Sequence, residues 1–215
     1  ANPNCTTMVL MMAAGPLHRA AGLASMTATS YQSVSGSGMK GIEGLVHEVD
    51  LLGKDTDLLA KGGWSDPQTD LYSRPIGWNV LAHAGNFVSE GYTDEEWKLV
   101  NETRKILDRT DIHVEPTCVR VPVMVGHGIA ASLWFDRRVD LDEAVAVLGA
   151  APGVQLWDDT KVPTPLDSAG IDDVLVGRLR ETIGHTGGIS LFAIGDNLRK
   201  GAALNAVELA ELLLE

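Results

Sequence analysis

Only two cysteines, Cys5 and Cys118, occur in 215 residues, too few to staple a secreted scaffold, and a reduced, cytoplasmic protein is the expectation. A single Cys5–Cys118 disulfide in an exported protein is the alternative. No stretch reaches about 18 uninterrupted apolar residues and no signal-peptide pattern is present, so neither a membrane span nor export is expected. Positive charge is scarce. Seventeen Lys+Arg stand against 29 Asp+Glu, and a net charge of −12 argues against general affinity for nucleic acid or an anionic membrane. Any anionic ligand must then be held by a few locally placed cations. His18, His47, His83, His113 and His185 lack ligand-like spacing with one another or with Cys5, so no metal site is expected. There is no repeat period and no low-complexity tract.

What is present is an ordinary globular balance, 45% hydrophobic and 21% charged, with length for one large domain or two small ones. Asn4 is a good N-cap for an apolar helix over 6–14, which Gly15-Pro16 should bend or restart. Leu23 to Gln32 reads as a strand and 33–38 as a loop. Met39 to Leu52 places Ile42, Leu45, Val46 and Val49 on one helical face. From Gly53 to Gly85 the signal is poor, with turns at Gly62-Gly63, Pro67 and Pro75. Thr93 and Glu96 form a capping box opening a helix that packs through Trp97, Val100 and Leu107, and Asp140 and Glu143 form a second. Strands are expected over 111–125, 129–137, 155–158, 174–182 and 188–194. A last helix over 200–214 aligns Ala202, Ala206, Leu209 and Leu213. Strands clustered late, without strict β-α alternation, favour an α+β domain with a mixed or largely antiparallel sheet and flanking helices.

Gly36-Ser37-Gly38-Met39-Lys40-Gly41 satisfies G-x-G-x-x-G between a strand and a helix. A dinucleotide fingerprint also needs a second parallel strand ending in an acid, and no β-branched run follows Leu52. The glycines are better read as places where the backbone lets something approach closely, a cofactor edge among the candidates.

Cys5 falls in the first turn of the first helix, where unpaired N–H groups and the helix dipole favour a thiolate and pull its pKa to roughly 3.5–7.5. A small buried hydrophobe is the plainer reading of the same residue. His127 ends an apolar run, and Arg120 lies seven residues earlier, an odd spacing that puts the two on opposite faces of a regular strand. They share a site only if the chain bulges or bends between them, near Pro122 and Gly126. Arg120, in an apolar stretch, suits either a ligand carboxylate or an internal one. Glu95 and Lys98, three apart, share a helical face, a spacing equally typical of a solvated pair.

Several segments resemble those of aspartate-semialdehyde dehydrogenases: Asn2-Pro3-Asn4-Cys5-Thr6-Thr7, Ser30-Tyr31-Gln32-Ser33-Val34-Ser35-Gly36-Ser37-Gly38, Glu95-Glu96-Trp97-Lys98, Cys118-Val119-Arg120-Val121-Pro122-Val123 with Gly126-His127, and Gly195-Asp196-Asn197-Leu198-Arg199-Lys200-Gly201-Ala202-Ala203. They recur in order along the whole chain. The resemblance implies a fold like the C-terminal domain of glyceraldehyde-3-phosphate dehydrogenase. It also implies NADP-dependent reductive dephosphorylation of aspartyl-β-phosphate to aspartate-β-semialdehyde, reversible, in lysine, threonine and methionine biosynthesis. In that frame Cys5 forms an acyl-thioester, His127 is general acid/base and Gln32 orients the acyl group. Arg120 grips the substrate α-carboxylate, Glu95 its ammonium and Lys98 the phosphate. Ser35, Gly36 and Asn197 lie along the nicotinamide. The resemblance further implies a homodimer and an NADP-binding domain ahead of Asn2. Residues 1–200 would then form the catalytic and dimerisation domain, and 201–215 a terminal helix packed on the absent domain. Without that domain the chain would be inactive, a substrate-side dimerisation piece. A cysteine hydrolase built on Cys5 and His127 is a further alternative.

Overall fold

The computed structural model describes residues 2–62, 69, 71–158 and 160–214. The turns expected at Gly63 and Pro67 lie outside these residues. The chain enters through the helix that contributes most buried residues, α1 (Cys5–Ala21), which runs unbroken through Pro16. The expected bend is absent for two reasons. Gly15 carries no Cβ for the proline ring to crowd. Val9, Leu10 and Leu17 are also wholly buried, and at roughly 1.5–3 kcal/mol per large side chain they outweigh a proline penalty of about 3 kcal/mol.

After β1 (Leu23–Gln32) comes a single 3-10 turn, Val34–Ser37, then α2 (Met39–Gly53) and α3 (Thr56–Lys61). Next are α4 (Asp94–Ile106), β2 (His113–Arg120), β3 (His127–Phe135), α5 (Leu141–Gly149), β4 (Val154–Leu156) and α6 (Pro165–Ser168). β5 (Val174–Glu181), β6 (Gly188–Gly195), a π-helical turn (Arg199–Ala203) and α7 (Leu204–Glu211) complete the order. The six strands form one mixed sheet, β2-β1-β3-β6-β5-β4, with β1/β2 and β4/β5 parallel and the other pairs antiparallel. The element after α2 is α3, not the strand a dinucleotide fold requires. Among the described residues no helix is long and apolar enough to cross a membrane.

One face of the sheet is covered. α1 packs on β1, β3, β5 and β6, flanked by α4 and α5, over Met26, Ala28, Ile129, Leu133, Ile189 and Leu191. The other face carries registered rows of small, hydroxylic and aromatic residues, Thr27–Ser132–Ser190 and Thr29–Ala130–Phe192, with Tyr31 exposed beside them.

Of the expected α2 stripe, Leu45 is buried and Ile42 packs beside it, but Glu48 turns inward as well and leaves Val46 54% and Val49 36% exposed. The cause is a buried carboxylate. Glu48 Oε2 accepts backbone N–H groups of Ile76 (2.5 Å) and Gly77 (2.8 Å), which turns this face of the helix inward. At α4 the capping box forms as expected, Thr93 N donating to Glu96 Oε2 (2.8 Å) and Glu96 N to Thr93 Oγ1 (3.3 Å). Leu99 and Val100 are the buried apolar residues of that helix, and Trp97 is half-buried. At α5 only half of a box forms, because the Glu143 carboxylate turns to Arg137 instead. The terminal helix is interrupted, starting as the π-helical turn before α7, with Ala206, Leu209 and Leu213 exposed.

Candidate active site

Strand pairing, more than any local motif, assembles the site. β2 lies parallel to β1 on one side and β3 antiparallel on the other, so the ends of β1 and β2 and the start of β3 meet at one edge. Gln32 pairs with Arg120, and Tyr31 with Gly128 next to His127. Of the two expected routes, a bulge or a bend between Arg120 and His127, the chain takes the bend. β2 stops at Arg120, and residues 121–126 cross the end of β1, held by Val121 N to Gln32 O (3.0 Å) and Val34 N to Val123 O (2.9 Å). The two residues therefore converge from separate strands.

The head of α1 closes this edge. Gln32 Nε2 donates to Thr6 Oγ1 (2.7 Å), and a Cβ built on Gly201 would stand 2.9 Å from Cys5 Cβ, so only glycine lets the π-helical turn press against the cysteine. Asn4 caps the helix by accepting from Thr6 N (2.9 Å) and Thr7 N (3.4 Å). Its Nδ2 donates to Glu95 Oε1 (2.7 Å), bringing α4 to the site. Cys5, Gln32, Gly36, Glu95, Arg120 and His127 line one cleft of about 460 Å³. The far wall comes from the irregular segment, including Tyr72, His83 and Phe87, which sequence reasoning did not assign to the site.

Arg120 is buried, donates from Nη1 to Ser33 O (2.8 Å) and lies 5.7 Å from the centre of the Tyr72 ring. Its Nε has no partner, and among the described residues no ion pair engages its guanidinium. Among the described residues, no internal carboxylate takes the place that the stretch around Arg120 left open for one. A buried cation with spare donors on a cleft is built for an anion.

His127 is fully buried. Burial, and then the charge of Arg120, push its pKa down to about 3, so the ring is neutral at pH 7. Its Nε2 is unpartnered, and a Cβ on Gly36 would approach it to 3.3 Å and Arg120 Nη1 to 3.1 Å. That close approach accounts for Gly36. Gly41 is explained separately, since its Cβ would fall 2.2 Å from the Val34 carbonyl oxygen.

The Cys5 thiol departs from the helix-dipole expectation. Burial first, then the charge of Glu95, raise its pKa, while contacts to Thr6 and the charge of Arg120 act the other way. The Thr6 N–H at the helix start still favours the thiolate, but burial and the Glu95 charge outweigh it. A thiol in this environment needs a proton acceptor to become a nucleophile.

The remaining sequence candidates lie around the cleft rather than on it. Lys98, 48% exposed, holds Glu95 Oε2 at 3.2 Å and is not a lining residue. Ser35 and Asn197 are buried behind Gly36, where Asn197 Nδ2 donates to Ser35 Oγ (2.9 Å) and Asn197 Oδ1 accepts from Gly126 N (2.9 Å). Ser33 was missed. Its backbone N–H donates to His127 Nδ1 at 3.1 Å, and its only sequence signal is its place between Gln32 and Ser35 at a strand end.

Residues 15–200 match the family described as semialdehyde dehydrogenase, dimerisation domain. The chain is 49% identical over its whole length to the aspartate-semialdehyde dehydrogenase of Corynebacterium glutamicum, of which it spans 63%. Among solved structures it is similar to aspartate semialdehyde dehydrogenase II of Vibrio cholerae, with 40% identity and a TM-score of 0.92 over all of this chain and 62% of that one. A structure of the same enzyme complexed with ASA gives a TM-score of 0.89 at 40% identity, covering 100% of this chain and 61% of that one.

Proposed function

Because the chain belongs to the semialdehyde dehydrogenase family through its dimerisation domain, we propose that it is the catalytic and dimerisation part of a cytoplasmic aspartate-semialdehyde dehydrogenase. The reaction is the reversible conversion of aspartyl-β-phosphate to aspartate-β-semialdehyde and phosphate, on the route to lysine, threonine and methionine. The observation that carries the reading is the convergence of a nucleophile, an imidazole, an amide, a carboxylate and an unpaired guanidinium on one cleft.

Cys5 Sγ attacks the acyl carbon, the bond to the phosphate oxygen breaks, and a thioester remains on the sulfur. The cleft-facing Nε2 of His127 takes the thiol proton as the bond forms and returns a proton when the reduced adduct collapses to thiol and aldehyde. Gln32, locked to Thr6, orients the acyl group. Arg120 binds the α-carboxylate, and Glu95, held by Asn4, binds the ammonium, so opposite charges of one amino acid are read by opposite walls. Lys98 lies beside Glu95 as the cation for phosphate. NADPH supplies the hydride when bound. Gly36 on the cleft wall, with Ser35 and Asn197 paired behind it, would lie along the nicotinamide.

The uncovered sheet face, with its registered Thr, Ser and aromatic rows, is the surface for the second copy of a homodimer. Residues 1–200 form the catalytic and dimerisation domain, and the exposed apolar residues Val207, Leu209, Leu212 and Leu213 of the terminal helical segment rest on a nucleotide-binding domain outside this chain. The isolated chain is then inactive. In the complete protein, Cys5→Ser is expected to abolish the acyl-enzyme detected by mass spectrometry and turnover with it. Normal turnover in that variant overturns the reading.

A further inference from the structure

Ser33 lies where β1 passes into the 3-10 turn, fully buried, and meets His127 twice. Its backbone N–H donates to Nδ1 at 3.1 Å, and its hydroxyl oxygen is 3.1 Å from the same nitrogen. A backbone N–H can only donate, so this contact favours a bare Nδ1 with the ring proton on Nε2. The hydroxyl acts in the opposite sense. It donates to Asn197 Oδ1 (3.0 Å) and also meets Ser35 Oγ (3.1 Å), an arrangement in which an oxygen lone pair can face the ring. Asn197 is fixed in turn by Gly126 N and Ser35 Oγ.

We propose that Ser33 is a positioning residue that lets His127 serve both as base and as acid. Its amide supports the Nε2–H tautomer, and its hydroxyl, oriented by Asn197, accepts from Nδ1–H in the tautomer whose Nε2 is free to take a proton. The proposal rests on the acyl-transfer reading above and adds what holds the imidazole. When the Cys5 proton moves to Nε2, the imidazolium carries a second proton on Nδ1, and the Ser33 hydroxyl is the side-chain acceptor in place for it. The groups around the ring set the direction of the effect. Arg120 from β2 opposes the imidazolium, and the Gly126 carbonyl favours it. Cys5 from α1 and Glu95 from α4 face the same cleft. Asp196, next to Asn197, is occupied by the N–H groups of Gly170 and Leu198, each at 2.8 Å.

The test uses the complete protein with 15N-labelled histidine, the His127 ring signals being assigned with His127→Asn. Ser33→Ala keeps the amide and removes the hydroxyl. It is expected to shift the ring toward Nε2–H and to slow alkylation of Cys5 by iodoacetamide near neutral pH roughly three- to tenfold, the worth of one hydrogen bond. Ser33→Thr restores both. Asn197→Ala frees the Ser33 proton to turn onto Nδ1 and is expected to move the tautomer signal in the same direction as Ser33→Ala, which guards against misfolding of one variant. Unchanged ring signals and an unchanged alkylation pH profile in both alanine variants overturn the proposal. Failure of the wild-type enzyme to form a Cys5 thioester overturns the functional reading instead, and the ring signals distinguish the two failures.

Discussion

Two buried polar regions lie on either side of the last residues of β2, and they are built to opposite rules. On the α4 side, Glu96 is saturated. Its Oε2 takes the Thr93 N–H and its Oε1 the Cys118 N–H (2.9 Å), tying a helix start to a strand in one step. On the cleft side, Arg120 and His127 are equally buried but keep an unpartnered Nε and Nε2. A buried polar group left unsatisfied is costly. Of these charged and ionisable groups, the one with both oxygens engaged ties the fold together and the two with spare capacity face the cleft. Local sequence separates them only in part: Glu96 is announced by its capping box within an acidic first turn, whereas Arg120 is a single charge among apolar neighbours.

The contrast predicts which changes unfold the protein and which disable it. The largest effect belongs to the saturated side. Glu96→Ala strands two buried N–H groups and breaks the cap, and is expected to lower stability by about 2–5 kcal/mol, read from the urea midpoint. Arg120→Lys comes next. It keeps the charge but loses the planar fork, and is expected to reduce kcat/KM of the complete enzyme by roughly 1.5–3 kcal/mol in transition-state terms with little change in melting temperature. An equal loss of stability from both substitutions would erase the distinction.

The smallest effect is the pH response of His127. Its folded-state pKa of about 3 lies below the ordinary value of 6.5, so the unfolded state binds the proton more readily. The contribution is complete above pH 6.5 and is lost as the pH falls toward 3. Between pH 7 and 5.5 the wild type is expected to lose about 1 kcal/mol that His127→Asn retains, measured by denaturant titration at each pH. His18, held low by burial and then by Arg109, bends the curve in the same direction in both proteins.

Much of the fold was legible where a signal is local. The span of β1, the Thr93–Glu96 box and the Asn4 cap are short-range patterns, and each forms as the residues suggest. On α2, Ile42 and Leu45 were legible as inward residues but Glu48 was not, because it is buried only through amides nearly thirty residues away. The site divides the same way. The candidate residues were named from segments that resemble a family, yet the reason Arg120 and His127 meet lies in two strand pairings of opposite sense, which no spacing encodes. The Cys5 environment was read backwards for a related cause. Tertiary burial outweighs the Thr6 N–H, and Glu95 arrives from α4.

β2 is an edge of the sheet, and the N–H positions it turns outward are disposed of one after another. Arg120 N is taken by Leu81 O at 2.8 Å, Cys118 N by Glu96, and Pro116 has none to give. A foreign strand arriving at that rim finds no run of free donors to register against. Lateral, fibre-like growth from this border is therefore suppressed by the same carboxylate that starts α4. At the opposite border β4 is three residues long, too brief to template an addition.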